Sequence, residues 1–408
     1  MIKTFNNSPL SLSVSSIIFF IVFFLLFMSS GSIIYFTNIP YRPIYVIFII
    51  MPLLFYYRIR LSQYQIYIAL FLLVVIISGI FNGMGINGIT LYFRYAIVPF
   101  LLVYLVDIYF SPQKTNKIIR ILIFVGLFQF PVVLIQKIFH QKLIPLAKGS
   151  ISEPDFYFGT FPWSGDPSMT FFLNCLIILL LFAQKVPNQI KNKIVLSLIF
   201  SITIFLSGSD IMRLFNMILW GLFYWKNFRK NIFILFSSII IVFSTPLFFD
   251  NINVPVAISK IQHLGKISET PTGGGTVEEF LSGNYARAAG FYYFFVKEPI
   301  HFFGDGPTKY VSPFSREKRL GISGHFLLLY AEIGLLGLFA SYMVLYKIIF
   351  RHKKRGKKLR GCLSLKYLLI GILILSITSN ILNDTSVMLT VAIFSKLFNL
   401  NYMDKIFL

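Results

Sequence analysis

The sequence predicts an all-α polytopic membrane protein, with about twelve transmembrane helices and a large extracytoplasmic loop between the ninth and the tenth. Three observations predict it. Charged residues make up 13% of the 408, against about 25% in a typical soluble domain. Hydrophobic residues make up 56%, mean hydropathy is +0.76, and the apolar residues recur in runs of about 20, the length that crosses a bilayer core as a helix. The two-residue alternation of an outer-membrane barrel is absent from these runs. Hydrocarbon supplies no hydrogen bonds, so each run must satisfy its own backbone as a helix.

The runs stand near 12–36, 42–57, 64–81, 89–110, 118–139, 168–184, 192–208, 211–225, 231–249, 325–350, 366–382 and 386–401. The first has no small-residue cleavage site after it and reads as a span, not as a removed signal. Arg58 and Arg60 follow the second run; Lys114, Lys117 and Arg120 the fourth; Lys185, Lys191 and Lys193 the sixth; Lys226, Arg229 and Lys230 the eighth; and the stretch RHKKRGKKLR from Arg351 the tenth. Basic loops alternate with loops poor in charge, which by the positive-inside bias places both termini in the cytoplasm. Two extracytoplasmic loops are long, 140–167 and 250–324, within one integral membrane domain spanning 1–408. Long loops are usually functional or disordered. No internal repeat is visible, which weakens a transporter reading.

The formal net charge is +22, which by itself suits a nucleic-acid binder. Its placement in short loops between apolar runs assigns it instead to topology and to attraction for anionic membrane lipid, and no nucleic-acid partner is expected. Cys175 and Cys362 lie in or beside apolar runs and form neither a metal spacing nor a disulfide framework.

The stretch from Arg287 to Gly337 is polar, basic and histidine-bearing, and it runs straight into an apolar helix. It presents, in order, Arg287, Pro299, Gly304-Asp305-Gly306-Pro307, and then HFLLLYAEIGLLG from His325 to Gly337, with Glu332 and Gly334 inside it. In this series the chain resembles the O-antigen ligase and polymerase family of bacterial polysaccharide assembly. That family carries an arginine opening a helix in a large periplasmic loop, a proline and a G-x-G, and then H-x-x-x-L-x-x-x-E-x-G-x-x-G. The segment Gly159-Thr160-Phe161 is similar to the family's G-T-F before the sixth span. The chain departs from the pattern at Phe326, where many members have Asn, and at LSGSDIMRLF, where many have a serine-arginine pair.

The resemblance implies transfer of a glycan from an undecaprenyl-diphosphate carrier to an acceptor hydroxyl at the outer face of the bacterial cytoplasmic membrane, without cofactor or metal. A flippase and a chain-length regulator are the partners it suggests. Departure of a lipid diphosphate develops negative charge, which fixed cations in a water-poor place stabilise; an arginine fork suits phosphate oxygens. Arg287 is the first candidate, with pairing to Glu278 or Glu279 as the plainer reading. Arg94 lies inside the fourth span, where a charge is functional by default, or it snorkels to the interface. Arg213 is either a second diphosphate arginine or the partner of Asp210 three residues earlier.

His325 heads the tenth span, where an imidazole can take the proton of an attacking hydroxyl, or it serves only as a structural cap. His263 and His301 have weaker context. Glu332, on the same helix face, orients His325 or pairs with an arginine, or it marks a tight helix contact at Gly334 and Gly337. Gly304 and Gly306 form a phosphate-binding turn or a plain one. Tyr157, Trp163 and Asp166 in the first long loop are candidate glycan contacts, or part of an interfacial aromatic belt. The histidines show no zinc-ligand spacing, and no D-x-D stands beside them.

These readings favour a polysaccharide polymerase. The alternatives are an O-antigen ligase acting on lipid A–core, a carrier for lipid-linked oligosaccharides, and a scaffold for a capsule assembly complex. Polymerase is preferred to ligase because the long loops are mixed in charge and carry no lipid A feature.

Overall fold

The computed structural model describes residues 9–31, 43–56, 63–84, 86–146, 156–162, 166–183, 190, 192–227, 300–310, 324–351 and 363–403. The described residues form helices and connecting turns, with no strand among them. In chain order the helices are α1 (Pro9–Phe24), α2 (Pro43–Ile50), α3 (Pro52–Tyr56), α4 (Gln63–Phe81), α5 (Ile86–Tyr109), α6 (Thr115–Leu143), α7 (Asp166–Phe182), α8 (Lys193–Leu206), α9 (Asp210–Asn227), α10 (His325–Ile349), α11 (Leu363–Leu375) and α12 (Thr385–Met403). Every apolar run except 231–249, which lies outside the described residues, holds helix. Four helical stretches, Gln63–Phe81, Gly88–Tyr109, Thr115–Leu146 and His325–Ile349, are long and apolar enough to cross a membrane. The remaining apolar helices are shorter.

The outward faces fit a hydrocarbon solvent. On α4, Tyr64, Ile68, Phe71 and Val75 are buried at helical spacing, while Ile66, Leu70, Leu73 and Ile80 are exposed. Ile17, Ile21 and Phe24 on α1 and Phe124, Phe128 and Ile135 on α6 are likewise exposed. Apolar faces this extensive are rare on a protein bathed in water. Inside, α10 lies along α4, α12 lies against α5 and α7, and α8 packs between α6 and α7.

Two ends of the bundle differ in chemistry. At one end Asp107 of α5 accepts Arg351, just past α10, through Nε and Nη2 at 3.1 Å, and Lys396 of α12 at 3.2 Å. Asn399 of α12 also donates to the Ile349 carbonyl there, at 3.2 Å. About 20 Å farther back along α5, at 1.5 Å per residue, stands Arg94, whose guanidinium carbon lies 5.5 Å from the Tyr95 ring centroid.

The first long loop is narrower than 140–167. The helix α6 runs on to Leu143 with a 3-10 turn over Ile144–Leu146, and α7 begins at Asp166. Pro167 explains that start, since proline suits the first turn, where its missing N–H has no partner to lose. Between these helices, 156–162 is buried. Two glutamines of α6 hold it: Gln136 Oε1 accepts the Gly159 N–H and Gln129 Oε1 the Thr160 N–H, both at 2.9 Å. A five-residue π-turn, Leu25–Ser29, ends α1. It lets the Phe27 carbonyl accept the Thr160 hydroxyl.

Candidate functional site

The two motif pieces, G-D-G and E-x-G, meet by exchanging backbone hydrogen bonds. Gly334 breaks α10 with φ +73° and ψ −171°. In an unbroken helix the Leu335 and Leu336 amides would bond the Ala331 and Glu332 carbonyls. Here they donate to His301 and Phe302 instead, at 2.9 and 3.2 Å, while the Asp305 and Gly306 amides take the Ala331 and Glu332 carbonyls, both at 2.9 Å. The segment 301–306 is thus inserted into the helix, and these two amides and two carbonyls freed by the break all find partners, as a membrane interior demands.

The insertion needs two glycines. Gly304 has φ +67°, and a Cβ there would lie 2.5 Å from the Glu332 carbonyl carbon and 2.6 Å from the Gly334 nitrogen. From α4, the Ser78 hydroxyl donates to the Phe303 carbonyl, and Asn82 Nδ2 donates to the Gly304 carbonyl at 3.1 Å. The Asp305 and Gly306 amides of the G-x-G turn are therefore bonded within the protein. The Gly334–Gly337 pair is not a close contact between two helices. Gly334 meets the inserted segment, and Gly337 faces Ile333 of its own helix, because the broken turn admits an extended chain where a neighbouring helix was expected.

Glu332 anchors the next stretch. Its carboxylate is 1% exposed and accepts the Tyr92 hydroxyl, the Thr308 N–H at 3.0 Å and the Tyr310 N–H at 2.9 Å. It thereby ties α5 and the turn after the inserted segment to α10. Glu332→Ala leaves three donors without that acceptor, at about 1–3 kcal/mol for each buried one. The expected result is a lower unfolding temperature together with new protease cleavage near Lys309; unchanged cleavage would remove the anchoring role.

His325 sits at the start of α10, fully buried. The first amides of a helix lack intrahelical partners. Those of His325 and Phe326 donate to the Ser379 and Ser376 carbonyls of the α11–α12 turn, at 3.0 and 3.1 Å. This docking brings the His325 ring to Asn380, with Nδ1 3.3 Å from Oδ1. The Tyr342 ring stands edge-on at 5.5 Å. The Tyr95 hydroxyl neighbours the side chains of Asn380 and Arg94, the Arg94 guanidinium carbon stands 5.5 Å from the Tyr95 ring centroid, and the Tyr95 and Tyr92 rings are 4.9 Å apart. Arg94, Tyr95, Asn380 and His325 therefore form one row of polar neighbours, with His325 bonded to Asn380 and Tyr92, beside Tyr95, bonded to Glu332. Two buried nitrogens on it, His325 Nε2 and Arg94 Nε, have no partner among the described residues.

The other expected residues fall as follows. Arg213 bonds Asp210 at 2.7 Å and the Ser207 carbonyl, the helical pair that its spacing allowed. Arg94 lies more than two turns inside α5, deeper than a position beside the loop. Tyr157 is buried, with its ring against His140 and under Lys137. Asp166 is the first residue of α7. His301 pairs with Asp305 at 3.3 Å. Arg287, Trp163, His263 and the stretches 250–299 and 311–323 lie outside the described residues. Among the described residues no group of His, Cys, Asp and Glu gathers as a metal site.

The sequence reading missed Tyr92, Tyr95, Asn380 and Asp384. The signal for the last two is the polar stretch Thr378-Ser379-Asn380 and Asn383-Asp384-Thr385-Ser386 between two apolar runs. Asp384 accepts the Ser168 hydroxyl and the Ser386 and Val387 amides, capping α12 and joining it to α7. Burial pushes its carboxyl above the ordinary value, and those three hydrogen bonds pull it back. No protein-family model matches the chain, and no curated protein matches it.

Proposed function

We propose that this protein is a glycosyltransferase that polymerises polyprenyl-diphosphate-linked oligosaccharide repeats at the outer face of the bacterial cytoplasmic membrane. One observation carries the reading: a cation inside a span and an imidazole from a distant helix are neighbours through Tyr95 and Asn380, each with a buried nitrogen that has no partner among the described residues. The motif resemblance supplies the substrate class. The basic cluster of Asp107, Arg351 and Lys396 at the opposite end supports placing the network outside and the termini inside.

The acceptor hydroxyl attacks the anomeric carbon of the donor glycan. The new carbon–oxygen bond forms as the bond from that carbon to the diphosphate oxygen breaks, and the hydroxyl proton passes to His325 Nε2. The lipid diphosphate leaves with the electron pair, and cations in a site shielded from water stabilise its charge. Arg94 is preferred to Arg213 as clamp, because Arg213 is already held by Asp210 and Ser207. Arg287 joins Arg94 in the pattern that the resemblance implies. Displacement in one step inverts the anomeric configuration.

The test is complementation of a deletion strain with His325→Gln, Arg94→Gln and Arg287→Gln, followed by polymer ladders and membrane protein levels. Loss of the proton acceptor should slow transfer roughly 10²–10⁴-fold, leaving single repeats at normal protein abundance. Normal ladders in the His325 and Arg94 variants would refute the mechanism. Loss of even single repeats from lipid A–core would instead favour a ligase. Lipid-linked repeats retained on the inner leaflet would favour a carrier.

A further inference from the structure

We propose that Asn380, held by Tyr95, is a positioning residue that fixes His325 as the tautomer with a proton on Nδ1 and a bare Nε2. The inference rests on the reading of His325 as the proton acceptor, and it names what makes that nitrogen available. A neutral imidazole carries one proton on either ring nitrogen, and the neighbour of one nitrogen decides the state of the other.

The neighbour of Nδ1 is Asn380 Oδ1, at 3.3 Å. A carbonyl oxygen only accepts, so Nδ1 must donate to it, and Nε2 keeps its lone pair. Turning the amide over would place Nδ2 against the ring, move the ring proton to Nε2 and remove the base.

Tyr95 sets which way the amide points. Its hydroxyl neighbours both Arg94 and Asn380. In the proposed arrangement the Tyr95 oxygen accepts from Asn380 Nδ2, which keeps Oδ1 on the His325 side. The Asn380 main chain is held as well: its carbonyl accepts the Asp384 and Asn383 amides at 3.1 and 3.2 Å. The His325 backbone is bonded to Ser379, the residue before Asn380, at 3.0 Å. Ring and amide are therefore presented to each other by one rigid turn. Nε2 is buried and has no partner among the described residues, as expected of a group waiting for a substrate hydroxyl.

The arrangement also gives Arg94 two tasks that need different atoms. Its place beside the Tyr95 ring supports the relay, while Nε is buried without a partner among the described residues.

The test reads the tautomer directly. The full-length protein, labelled with 15N-histidine and held in lipid nanodiscs, is examined by nitrogen NMR at neutral pH, with the His325 signals assigned by their absence from His325→Gln. The expected result is a protonated Nδ1 and an unprotonated Nε2. Asn380→Leu should convert the ring to the Nε2–H tautomer or a mixture, and should lower kcat roughly 10²-fold with a smaller change in KM. Asn380→Asp, whose oxygens can only accept from the ring when ionised, should keep the Nδ1–H tautomer and restore most of the rate. Tyr95→Phe should give a mixture. An Nε2–H ring in the unaltered protein, or an unchanged ring in a folded Asn380→Leu variant, overturns the proposal. Normal ladders from His325→Gln would remove the catalytic reading alone, since the tautomer is measured without any substrate.

Discussion

Gly334→Ala is expected to destabilise the protein by about 3 kcal/mol or more, and to abolish the insertion of 301–306. Its backbone, at φ +73° and ψ −171°, lies where residues with a side chain are strained, at about 1–3 kcal/mol. A Cβ there would also collide with the Phe302 carbonyl and come within 2.5 Å of the Gly304 nitrogen. The atoms it strikes are main chain and cannot swing aside, so the exchanged bonds at His301, Phe302, Asp305 and Gly306 would be lost together. Gly337→Ala is the control. The nearest atoms to its Cβ belong to the Ile333 side chain of the same helix, and it carries neither the positive φ nor the main-chain collision of Gly334, so its effect should be smaller. Thermal unfolding of the two variants in one detergent checks the contrast, with protease accessibility of 300–310 as a second reading. Equal stability of Gly334→Ala and the unaltered protein would mean that the break is not required.

Asp107→Ala is expected to be comparably damaging, from the opposite end of the bundle. Arg351 is 3% exposed and Lys396 13%. Removing one partner of a buried pair costs about 3–5 kcal/mol, because the remaining charge is left uncompensated. Asp107 is itself 27% exposed, so water screens part of the loss, and about 3 kcal/mol is the expected effect. The carboxylate joins the ends of α5, α10 and α12, so their packing should loosen together. Adding Arg351→Met to Asp107→Asn removes one of the two stranded cations and should recover part of the loss. A double-mutant cycle on the unfolding free energy measures the coupling, expected at about 1 kcal/mol or above. Simple additivity would mean that the pair is incidental. Arg351 opens the basic stretch that the sequence reading assigned to topology; the structure gives it a second role, as a fastening between helices.

Much of the helical layout was legible because hydropathy acts locally. A run such as 64–81 must be helix wherever it packs, since hydrocarbon offers its amides and carbonyls nothing else. That argument located α4, α5, α6 and α10 to within a few residues. It also marked His325, Glu332 and Arg94 as unusual, because a polar side chain in an apolar run is costly unless it has a task or a partner.

The partners were not legible, because they are remote. Tyr92 and Glu332 are 240 residues apart, and His325 and Asn380 are 55 apart. No periodicity in either stretch encodes such a meeting. Glu332 shows the difference most clearly. Spacing on one helix face suggested service to His325, whereas the fold turns its carboxylate to the Thr308 and Tyr310 amides. Arg213 shows the reverse case: its pairing with Asp210 is local, and spacing alone anticipated it.

Composition and hydropathy alone therefore settled that this chain is helical and apolar enough to live in a membrane, since those properties sum over residues one at a time. Tertiary structure alone decided that the G-D-G turn enters the break at Gly334, and that Asn380 meets His325. Such contacts depend on where two distant segments are brought, and on the need of every buried donor and acceptor to find a partner there.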